Sequence, residues 1–258
     1  MMEIKNVYEA DVLVVGGGGR AHAIIRKLKE SPRCGKLYCT PGNGGIARDA
    51  QCFDVPATDV AGVVELATRL MVDLVFVAPD DPLVLGAVDA LEAAGVPCFG
   101  PRANAAIIEG SKAFSKQLMK KYGIPTAAYE IFTDREAALA YLETVTFPTV
   151  IKADGLALGK GVIIAETLSE AQAAVNAMML EGAFGKSGER IVIEQYLTGP
   201  EVSVLSFTDG KTIVPMVSSM DHKRALDGDR GLNTGGMGTV APNPYYTGQI
   251  ADICMETI

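Results

Sequence analysis

Cysteine is scarce in this sequence, and its spacing matches neither a metal site nor a redox pair. The five cysteines, Cys34, Cys39, Cys52, Cys98 and Cys254, form no CxxC motif, and their odd number is not accompanied by a secretory signal. These features disfavour a disulfide framework and a zinc knuckle. We interpret all five as core or surface thiols.

Positive charge is the second shortage. The 258 residues contain 23 lysines and arginines against 31 aspartates and glutamates, which gives a net charge of -8 and a pI near 4.9. Nucleic-acid phosphates are usually met by a positive field, so this balance argues against a nucleic-acid partner. It favours a small-molecule partner instead.

The N-terminal residues predict neither a leader nor a membrane span. Residues 1–15 read MMEIKNVYEADVLVV, in which three carboxylates accompany only a short apolar run. This pattern fits neither a signal peptide nor a membrane span, so we expect a cytoplasmic protein without a membrane partner.

Apolar residues are nevertheless plentiful, because 48% of the chain is hydrophobic. That content is enough for a full core in roughly two domains.

The first hundred residues alternate between strand and helix patterns, and such a repeat predicts a parallel sheet. The repeat stops near residues 99–101, and we place a domain boundary within residues 105–125. The predicted strands are Asp11–Val15, Lys36–Cys39, Leu74–Ala78 and Pro97–Phe99, and the predicted helices are Ala21–Glu30, Asp59–Leu70 and Leu83–Ala94.

The region that follows is organised differently, with helices that begin at capping boxes. Thr133 is paired with Glu136 in one box, and Thr167 is paired with Glu170 in the other. The predicted strands are Ala128–Phe132, Thr149–Ala153, Val162–Ala165 and Ile191–Glu194.

A third region opens with a hairpin signal. Predicted strands at Val202–Phe207 and Thr212–Val217 flank Asp209-Gly210, and such turns have positive φ at both central residues. Residues 218–238 are polar and glycine-rich without a period, which predicts a long functional loop. Thr247 is then predicted to cap a final helix.

The stretch Val150–Val162 reads VIKADGLALGKGV and predicts a phosphate cradle. Gly155, Gly159 and Gly161 let the backbone approach an anion closely, while Lys152 and Lys160 supply positive charge. Lys152 ends an apolar strand, where an unpaired charge is costly, which favours a functional role. The ligand this pattern favours is a nucleoside triphosphate.

The first strand-to-helix turn carries a second anion signal. Residues 16–20 read GGGGR, which aims backbone amides and a helix N-terminus at an anion, with Arg20 able to bind phosphate. The spacing also satisfies the dinucleotide fingerprint through Gly16, Gly18 and Ala21. However, Thr40 and Pro41 stand where a ribose-binding carboxylate would be expected, which disfavours a nicotinamide cofactor.

The segment IVIEQYLTGPE, residues 191–201, together with the two-lysine loop resembles the ATP-grasp fold. Further motifs resemble the phosphoribosylamine-glycine ligase family over essentially the whole chain. These motifs are DVLVVGGGGRAHAI, PGNGG, APDDPL, FGP, EGSKAF and DHKRALDGDRGLNTGGMG.

The resemblance implies an α/β fold in which a Rossmann-like parallel-sheet domain precedes an ATP-grasp region that is incomplete at the C-terminus. The expected division is an N-terminal substrate-binding domain at 1–107, connecting helices at 108–126, an ATP-grasp lid subdomain at 127–197 and the start of the central subdomain at 198–258.

The activity implied is the ATP-dependent ligation of glycine to 5-phosphoribosylamine through a glycyl phosphate, in purine synthesis. Lys152 and Lys160 would act in catalysis, the hinge backbone at Gln195 and Leu197 would hold adenine, and Glu201 would hold the ribose. The implied nucleotide-binding residues are Lys112, Lys152, Gly155, Gly159, Lys160, Gly161, Glu194, Gln195, Leu197 and Glu201. The implied substrate-binding residues are Gly18, Gly19, Arg20, His22, Asp221, His222, Lys223, Asn233, Gly235 and Gly236.

For several of these side chains, an ordinary structural or solvated role remains an alternative to a functional one. Lys112 could be a solvated surface charge, and His22 could simply cover the sheet edge. Glu194 and Glu201 could be ordinary polar residues at a strand end and a turn. The cluster around His222 could likewise be a solvated loop.

The sequence departs from the family pattern at three positions and in its extent. Ala21 and Asp80 each stand where the family usually has glutamate, and Leu232 stands where it has proline. Family members also continue beyond Ile258, where Mg²⁺ ligands are expected, so we expect a fragment that is inactive alone. A non-catalytic nucleotide-binding module and another ATP-grasp carboxylate ligase remain alternatives, and the oligomeric state is left open.

Overall fold

The computed structural model describes residues 9–155, 161–228 and 230–258. The chain divides into two compact units, Met1–Ser115 and Lys116–Ile258. Separate clusters of buried apolar side chains form the core of each unit.

The first unit contains a five-stranded parallel sheet with the strand order β3-β2-β1-β4-β5. The parallel sheet predicted from the βα-repeat is therefore confirmed, and β3 is a short edge strand that the pattern did not indicate. The strands are Ala10–Gly16 (β1), Cys34–Pro41 (β2), Gln51–Cys52 (β3), Leu74–Val77 (β4) and Cys98–Phe99 (β5).

Central strand β1 is buried on both faces, which explains its uninterrupted apolar sequence. Leu13 and Val15 belong to one apolar cluster, whereas Val12 and Val14 belong to the other. The helices of this unit are Gly19–Lys29 (α1), Val60–Leu70 (α2), Asp80–Val84 (α3), Ala87–Ala93 (α4) and Ala103–Gly110 (α5).

The single helix predicted at Leu83–Ala94 is wrong, because two helices occupy this region. Gly86 separates α3 from α4 and has φ +86°. This left-handed conformation is readily available to glycine and interrupts a helix. The apolar period alone did not reveal the break.

The second unit contains a four-stranded antiparallel sheet with the order β6-β9-β7-β8. Two helices, α7 and α8, cover one face, where they pack against Ile151, Ala153, Ile191 and Ile193. Helix α6 runs across the division between the units. The elements are Lys112–Tyr122 (α6), Tyr129–Phe132 (β6), Arg135–Leu142 (α7), Thr149–Ala153 (β7), Val162–Ala165 (β8), Leu168–Met179 (α8) and Ile191–Gln195 (β9).

Two of the three predicted helix caps are confirmed. Thr167 accepts a hydrogen bond from the Glu170 amide, as expected for the start of α8. The prediction for Thr133 is wrong, because Asp134 caps α7 by accepting from the Ala137 amide. Adjacent Thr and Asp are both good caps, so the sequence pattern could be read one residue too early.

The hairpin around Asp209-Gly210 is confirmed, but its turn differs from the one predicted. Gly210 has φ +86°, whereas Asp209 is not among the residues with positive φ. Asp209 Oδ1 instead accepts from the Lys211 and Thr212 amides at 3.0 and 2.7 Å, which closes a longer loop. The strands are Ser206–Thr208 (β10) and Ile213–Pro215 (β11).

The long loop predicted at 218–238 is wrong in part, because short antiparallel strand pairs organise it. β12 pairs with β15 and β13 pairs with β14. The final helix begins at Thr247, whose side chain accepts from the Ile250 amide as predicted. These elements are Met220–Asp221 (β12), Arg224–Leu226 (β13), Arg230–Asn233 (β14), Thr239–Val240 (β15) and Gly248–Thr257 (α9).

None of the helices in the described part of the chain is both long and apolar enough to cross a membrane.

Candidate functional site

The antiparallel register of β7 and β9 places Lys152 beside Glu194. Val150 lies opposite Glu194 and Lys152 lies opposite Val192, so the two charged residues are diagonal neighbours on one face of the sheet. Their side chains form an ion pair between Lys152 Nζ and Glu194 Oε1. Neighbouring Ile151 and Ile193 point to the opposite face and are buried under the helices.

A second lysine contacts the same carboxylate from helix α6. Lys116 Nζ lies 2.6 Å from Glu194 Oε2 and donates to Thr126 Oγ1 at 2.7 Å. It also lies 5.4 Å from the centre of the Tyr129 ring, and the Tyr129 hydroxyl donates to the Lys116 carbonyl at 2.8 Å. These contacts hold this face of α6 against the sheet.

The cluster formed by Lys116, Glu194 and Lys152 contains two cations and one anion. The Glu194 side chain is 7% exposed and that of Lys116 is 10% exposed, whereas that of Lys152 is 27% exposed. One positive charge is thus left over within the cluster, and it is most accessible at Lys152. Such an arrangement suits an anionic ligand that reaches Lys152.

The glycine-rich loop leaves the sheet next to Lys152. The Ala153 amide donates to the Gly161 carbonyl at 2.8 Å, and the Asp154 amide donates to the Arg190 carbonyl at 2.9 Å. Gly155 has φ +104°, a conformation that favours glycine at the start of this loop. The predicted loop residues Gly159 and Lys160 lie outside the described residues.

The base of this loop is held by a second ion pair. Asp154 is buried, and Arg190 donates from Nε to Asp154 Oδ2 at 2.6 Å while its NH2 group pairs with the same oxygen. Both side chains border a cavity of about 490 Å³ together with Thr133 and Glu189. The sequence did not indicate this pair.

The predicted hinge begins at Gln195, the last residue of β9. The Gln195 amide donates to the Ala128 carbonyl at 2.9 Å, so this amide is used within the protein. The Leu197 side chain is exposed. Glu201 Oε1 lies 2.9 Å from Lys223 Nζ, which brings together one residue predicted to bind nucleotide and one predicted to bind substrate.

The polar segment around His222 is organised by backbone contacts. The His222 amide donates to the Gly238 carbonyl at 2.9 Å, and the Lys223 carbonyl accepts from both the amide and the hydroxyl of Thr234. Gly236 lies against Asp221, because a Cβ on Gly236 would come within 3.0 Å of Asp221 Oδ1. Gly235 is exposed nearby in sequence.

The side chain of Asn233 lies outside the described part of the structure, although its backbone belongs to β14 and pairs with Arg224.

In the first unit, the glycine-rich turn connects β1 to α1. Gly16 has φ +144°, and Gly18 is the N-cap residue of α1. A Cβ on Gly18 or Gly19 would meet nothing within 4 Å, so open space lies above both residues. The turn lines a depression of about 280 Å³.

Arg20 is held at the rim of this depression. Its NH1 group donates to the Ala78 carbonyl at 3.1 Å and lies 3.3 Å from Asp80 Oδ1. Asp80, the residue that departs from the family pattern, therefore still reaches the guanidinium group. Ala21, the other departure in this unit, is buried in the core.

His22 lies in α1 and forms a small polar cluster with Asp49 and Lys29. His22 Nε2 and Lys29 Nζ each lie 2.9 Å from an Asp49 oxygen. The hydrogen bond from His22, followed by the one from Lys29, lowers the pKa of Asp49 to about 2. The ionised carboxylate can only accept, so His22 Nε2 carries the proton, and the other edge of the ring faces Gly45.

Asn43 connects the two glycine-rich turns of the first unit and was not predicted. Its Nδ2 donates to the Gly17 carbonyl at 2.8 Å, and its Oδ1 accepts from the Gly45 and Ile46 amides at 2.7 and 2.9 Å. The PGNGG motif was noted for its resemblance, but nothing in its pattern indicated this cross-link.

The position expected for a dinucleotide carboxylate has a structural role. Thr40 is buried and its hydroxyl donates to the Val55 carbonyl at 2.7 Å. Thr40 therefore serves the packing of this end of β2.

Two adjoining family profiles cover the described chain from β1 onward. The N domain of phosphoribosylglycinamide synthetase matches residues 10–109, and its ATP-grasp (A) domain matches residues 110–258. The chain belongs to the phosphoribosylglycinamide synthetase family. The family and the fold inferred from the sequence motifs are thus confirmed.

Relatives named phosphoribosylamine-glycine ligase are similar to this chain. The one from Allochromatium vinosum is 51% identical over 249 residues, which are 96% of this chain and 58% of the relative. The one from Listeria monocytogenes is 49% identical over 96% of this chain and 59% of the relative. The chain therefore spans just under three-fifths of the length of these relatives.

A solved structure supports the same assignment. The crystal structure of phosphoribosylamine-glycine ligase from Thermotoga maritima has a TM-score of 0.73 and 32% identity, and the match covers 89% of this chain and 55% of that one. The biotin carboxylase domain of the Hydrogenobacter thermophilus 2-oxoglutarate carboxylase, solved with MgADP, has a TM-score of 0.67 at 21% identity over 83% of this chain and 51% of that one. The second likeness shows the fold alone.

Lys112, the remaining predicted residue, begins α6 as expected and is partly buried. The structure adds Lys116, which was not predicted. A weak sequence signal existed, because Ala113, Lys116 and Met119 follow a helical stripe in which a lysine stands where an apolar residue is typical.

Metal ligands were expected outside this sequence. Within residues 9–155, 161–228 and 230–258, no group of three or more His, Cys, Asp or Glu side chains is placed to hold a metal ion. No magnesium ligand is therefore assigned among the described residues.

Proposed function

We propose that this chain forms part of an enzyme that joins glycine to 5-phosphoribosylamine at the expense of ATP. The products are glycinamide ribonucleotide, ADP and phosphate, and the proposed intermediate is glycyl phosphate. The family assignment supports the reaction class. The buried cluster of Lys116, Glu194 and Lys152, with its surplus positive charge beside the glycine-rich loop, is the observation that carries the proposal.

The proposed chemistry has two steps. A glycine carboxylate oxygen attacks the γ-phosphorus of ATP, and the bond from that phosphorus to the β-γ bridging oxygen breaks to release ADP. The amine of phosphoribosylamine then attacks the glycyl carbonyl carbon, the carbon-oxygen bond to phosphate breaks, and the amine loses a proton. Carboxylate and triphosphate repel each other, so positive charge is needed to bring them together.

Lys152 is proposed to supply part of that charge. Its ammonium group is anchored by Glu194 on a rigid strand yet remains partly exposed. A fixed cation needs little reorganisation as charge builds on the transferred phosphoryl group. The glycine-rich loop is proposed to hold the phosphates through Lys160 and the glycines at 155, 159 and 161. Lys112, at the start of α6, is proposed to hold them as well.

The base and ribose of ATP are proposed to lie along the segment after β9. The Gln195 amide already donates to Ala128, so the Gln195 carbonyl is the backbone group proposed to accept from adenine. Leu197 is proposed to contribute its amide. Glu201 is proposed to hold the ribose hydroxyls, and its ion pair with Lys223 orients the carboxylate.

The ribose phosphate of phosphoribosylamine is proposed to bind at the turn from Gly17 to Arg20. Open space lies above Gly18 and Gly19 at the start of α1, where amides point outward. Arg20 lies at the rim, held by Asp80. His22 and the segment around Asp221, His222, Asn233, Gly235 and Gly236 are proposed to contact the remaining substrate groups.

The test is ADP formation by the protein as its gene encodes it. We expect ADP to form only when both glycine and phosphoribosylamine are present. ADP formation with another carboxylate but not glycine would refute the proposal, and nucleotide binding without turnover would favour a binding module instead.

A further inference from the structure

Lys116 is a buried lysine that the proposed chemistry does not use directly. The residue is 8% exposed, and it contacts Glu194, Thr126 and the Tyr129 ring. Burying an ammonium group is costly, and an apolar side chain of similar length would pack on this helix face at lower cost. The position therefore calls for an explanation beyond packing.

The two oxygens of Glu194 are divided between two lysines. Oε1 pairs with Lys152 and Oε2 pairs with Lys116. The single negative charge of Glu194 is thus shared, so it does not fully neutralise Lys152. Without Lys116, the same carboxylate would be free to compensate Lys152 alone.

We propose that Lys116 is a positioning residue for the ATP site. It holds Glu194 in place and shares the negative charge of that carboxylate. The Lys152 ammonium group is therefore not fully neutralised and can attract a phosphate. Lys116 acts through Glu194 and does not itself touch the nucleotide. This inference rests on the proposed function, because it assumes that Lys152 binds an ATP phosphate.

The test compares Lys116→Met, Glu194→Gln and the double variant in the protein as its gene encodes it. ATP affinity is measured by calorimetry, and KM and kcat are measured separately. We expect Lys116→Met to weaken ATP binding by about tenfold or more, because Glu194 then neutralises Lys152. We expect the double variant to recover most of that loss, because no carboxylate remains to compensate Lys152.

A merely structural lysine predicts the opposite pattern. In that case the losses in the two single variants would add in the double variant, and that outcome would overturn the inference. An unchanged ATP affinity in Lys116→Met would also overturn it. Lys120→Met is the matched control, because Lys120 lies one turn further along α6 and is exposed.

Folding of each variant is checked by its thermal unfolding. Should Lys116→Met fail to fold, Lys116→Gln takes its place, because glutamine keeps a donor for Glu194 while removing the charge. The same loss of ATP affinity and the same recovery on adding Glu194→Gln are expected.

The binding measurement separates this inference from the proposed function. Recovery of ATP affinity in a protein without glycine-dependent turnover would support the inference and refute the proposed reaction. Turnover by the wild type without recovery in the double variant would refute the inference alone. A wild-type protein that binds no ATP would overturn both.

Discussion

Lys152 on β7 and Glu194 on β9 are diagonal neighbours across an antiparallel strand pair, and their side chains form an ion pair. The register that produces this contact is fixed by the apolar residues on the other face. A slip of β9 by one residue would move Ile191 and Ile193 out of the core and separate the two charges. The core of the second unit therefore also positions its charged site.

The first prediction concerns Lys152. Replacing it with methionine keeps most of its volume but removes a cation that is proposed to contact the ATP phosphates. We expect kcat/KM for ATP to fall by roughly 30- to 1000-fold, which corresponds to about 2 to 4 kcal/mol of lost transition-state stabilisation. Steady-state ADP formation with saturating glycine and phosphoribosylamine measures this change.

The control for this prediction is Lys211→Met, which removes an exposed lysine from the β10–β11 loop of the same unit. We expect it to leave kcat/KM within about threefold of the wild type, as is usual for an exposed site without a special role. A Lys152→Met protein that keeps full activity would contradict a role for this ammonium group.

Lys152 could be predicted from the sequence, whereas Lys116 left only a weak signal there. Lys152 comes at the end of an apolar run, where an unpaired charge is costly, so the sequence pattern favoured a functional role for it. Lys116 lies in a helix with three other lysines, at 112, 120 and 121. Which of them is buried depends on how α6 packs against the sheet, and that packing is a tertiary property.

The difference between local sequence patterns and tertiary packing also explains the errors in the predicted fold. Except for the short edge strand β3, the parallel strands of the first unit follow the repeat of strand and helix patterns, so they were predicted. The break at Gly86 was not, because a lone glycine within an apolar period is compatible with one helix or two. The pairing of β12 with β15 joins residues about twenty positions apart by backbone contacts. No alternation of apolar and polar residues in the sequence indicated this pairing.

The second prediction concerns the Asp154–Arg190 pair at the base of the glycine-rich loop. Asp154 is 7% exposed at its side chain, so removing Arg190 leaves a buried carboxylate without this donor. We expect Arg190→Met to lower the free energy of unfolding by about 1 to 3 kcal/mol. Urea denaturation measures this loss.

A double-mutant cycle with Asp154→Asn tests whether the loss arises from the pair itself. Glu189→Gln changes the neighbouring exposed residue and is the matched control. If the effects of Arg190→Met and Asp154→Asn simply add, the two side chains do not stabilise the loop base together.

The third prediction concerns Asn43, which joins the turn at Gly17 to the PGNGG segment. Its side chain makes three hydrogen bonds to backbone groups, but it is exposed. We therefore expect Asn43→Ala to cost only about 1 kcal/mol of stability. We expect a larger effect on the KM for phosphoribosylamine, because the turn that is proposed to bind its phosphate loses its support.

The KM for ATP should change little in Asn43→Ala, because ATP is proposed to bind in the other unit. Asn43→Asp is the conservative comparison, because the aspartate can still accept from the Gly45 and Ile46 amides but cannot donate to Gly17. Equal increases in both KM values would contradict a role confined to the turn.

The fourth prediction is a pH dependence set by Asp49. Hydrogen bonds from His22 and Lys29 lower its pKa from an ordinary value of 3.8 to about 2 in the folded protein. A lowered pKa means that the folded state favours the ionised carboxylate. The resulting stabilisation is fully present above about pH 4 and is lost as the pH falls through about 2.

We therefore expect the wild type to be more stable than Asp49→Asn at pH 6, and this difference to shrink steadily between pH 4 and pH 2. Urea denaturation of both proteins across this range measures the difference. Glu65→Gln, an exposed carboxylate on α2, controls for the general effect of removing a negative charge. Because asparagine cannot titrate, a difference that stays constant down to pH 2 would mean that the contacts of His22 and Lys29 with Asp49 do not depend on its charge.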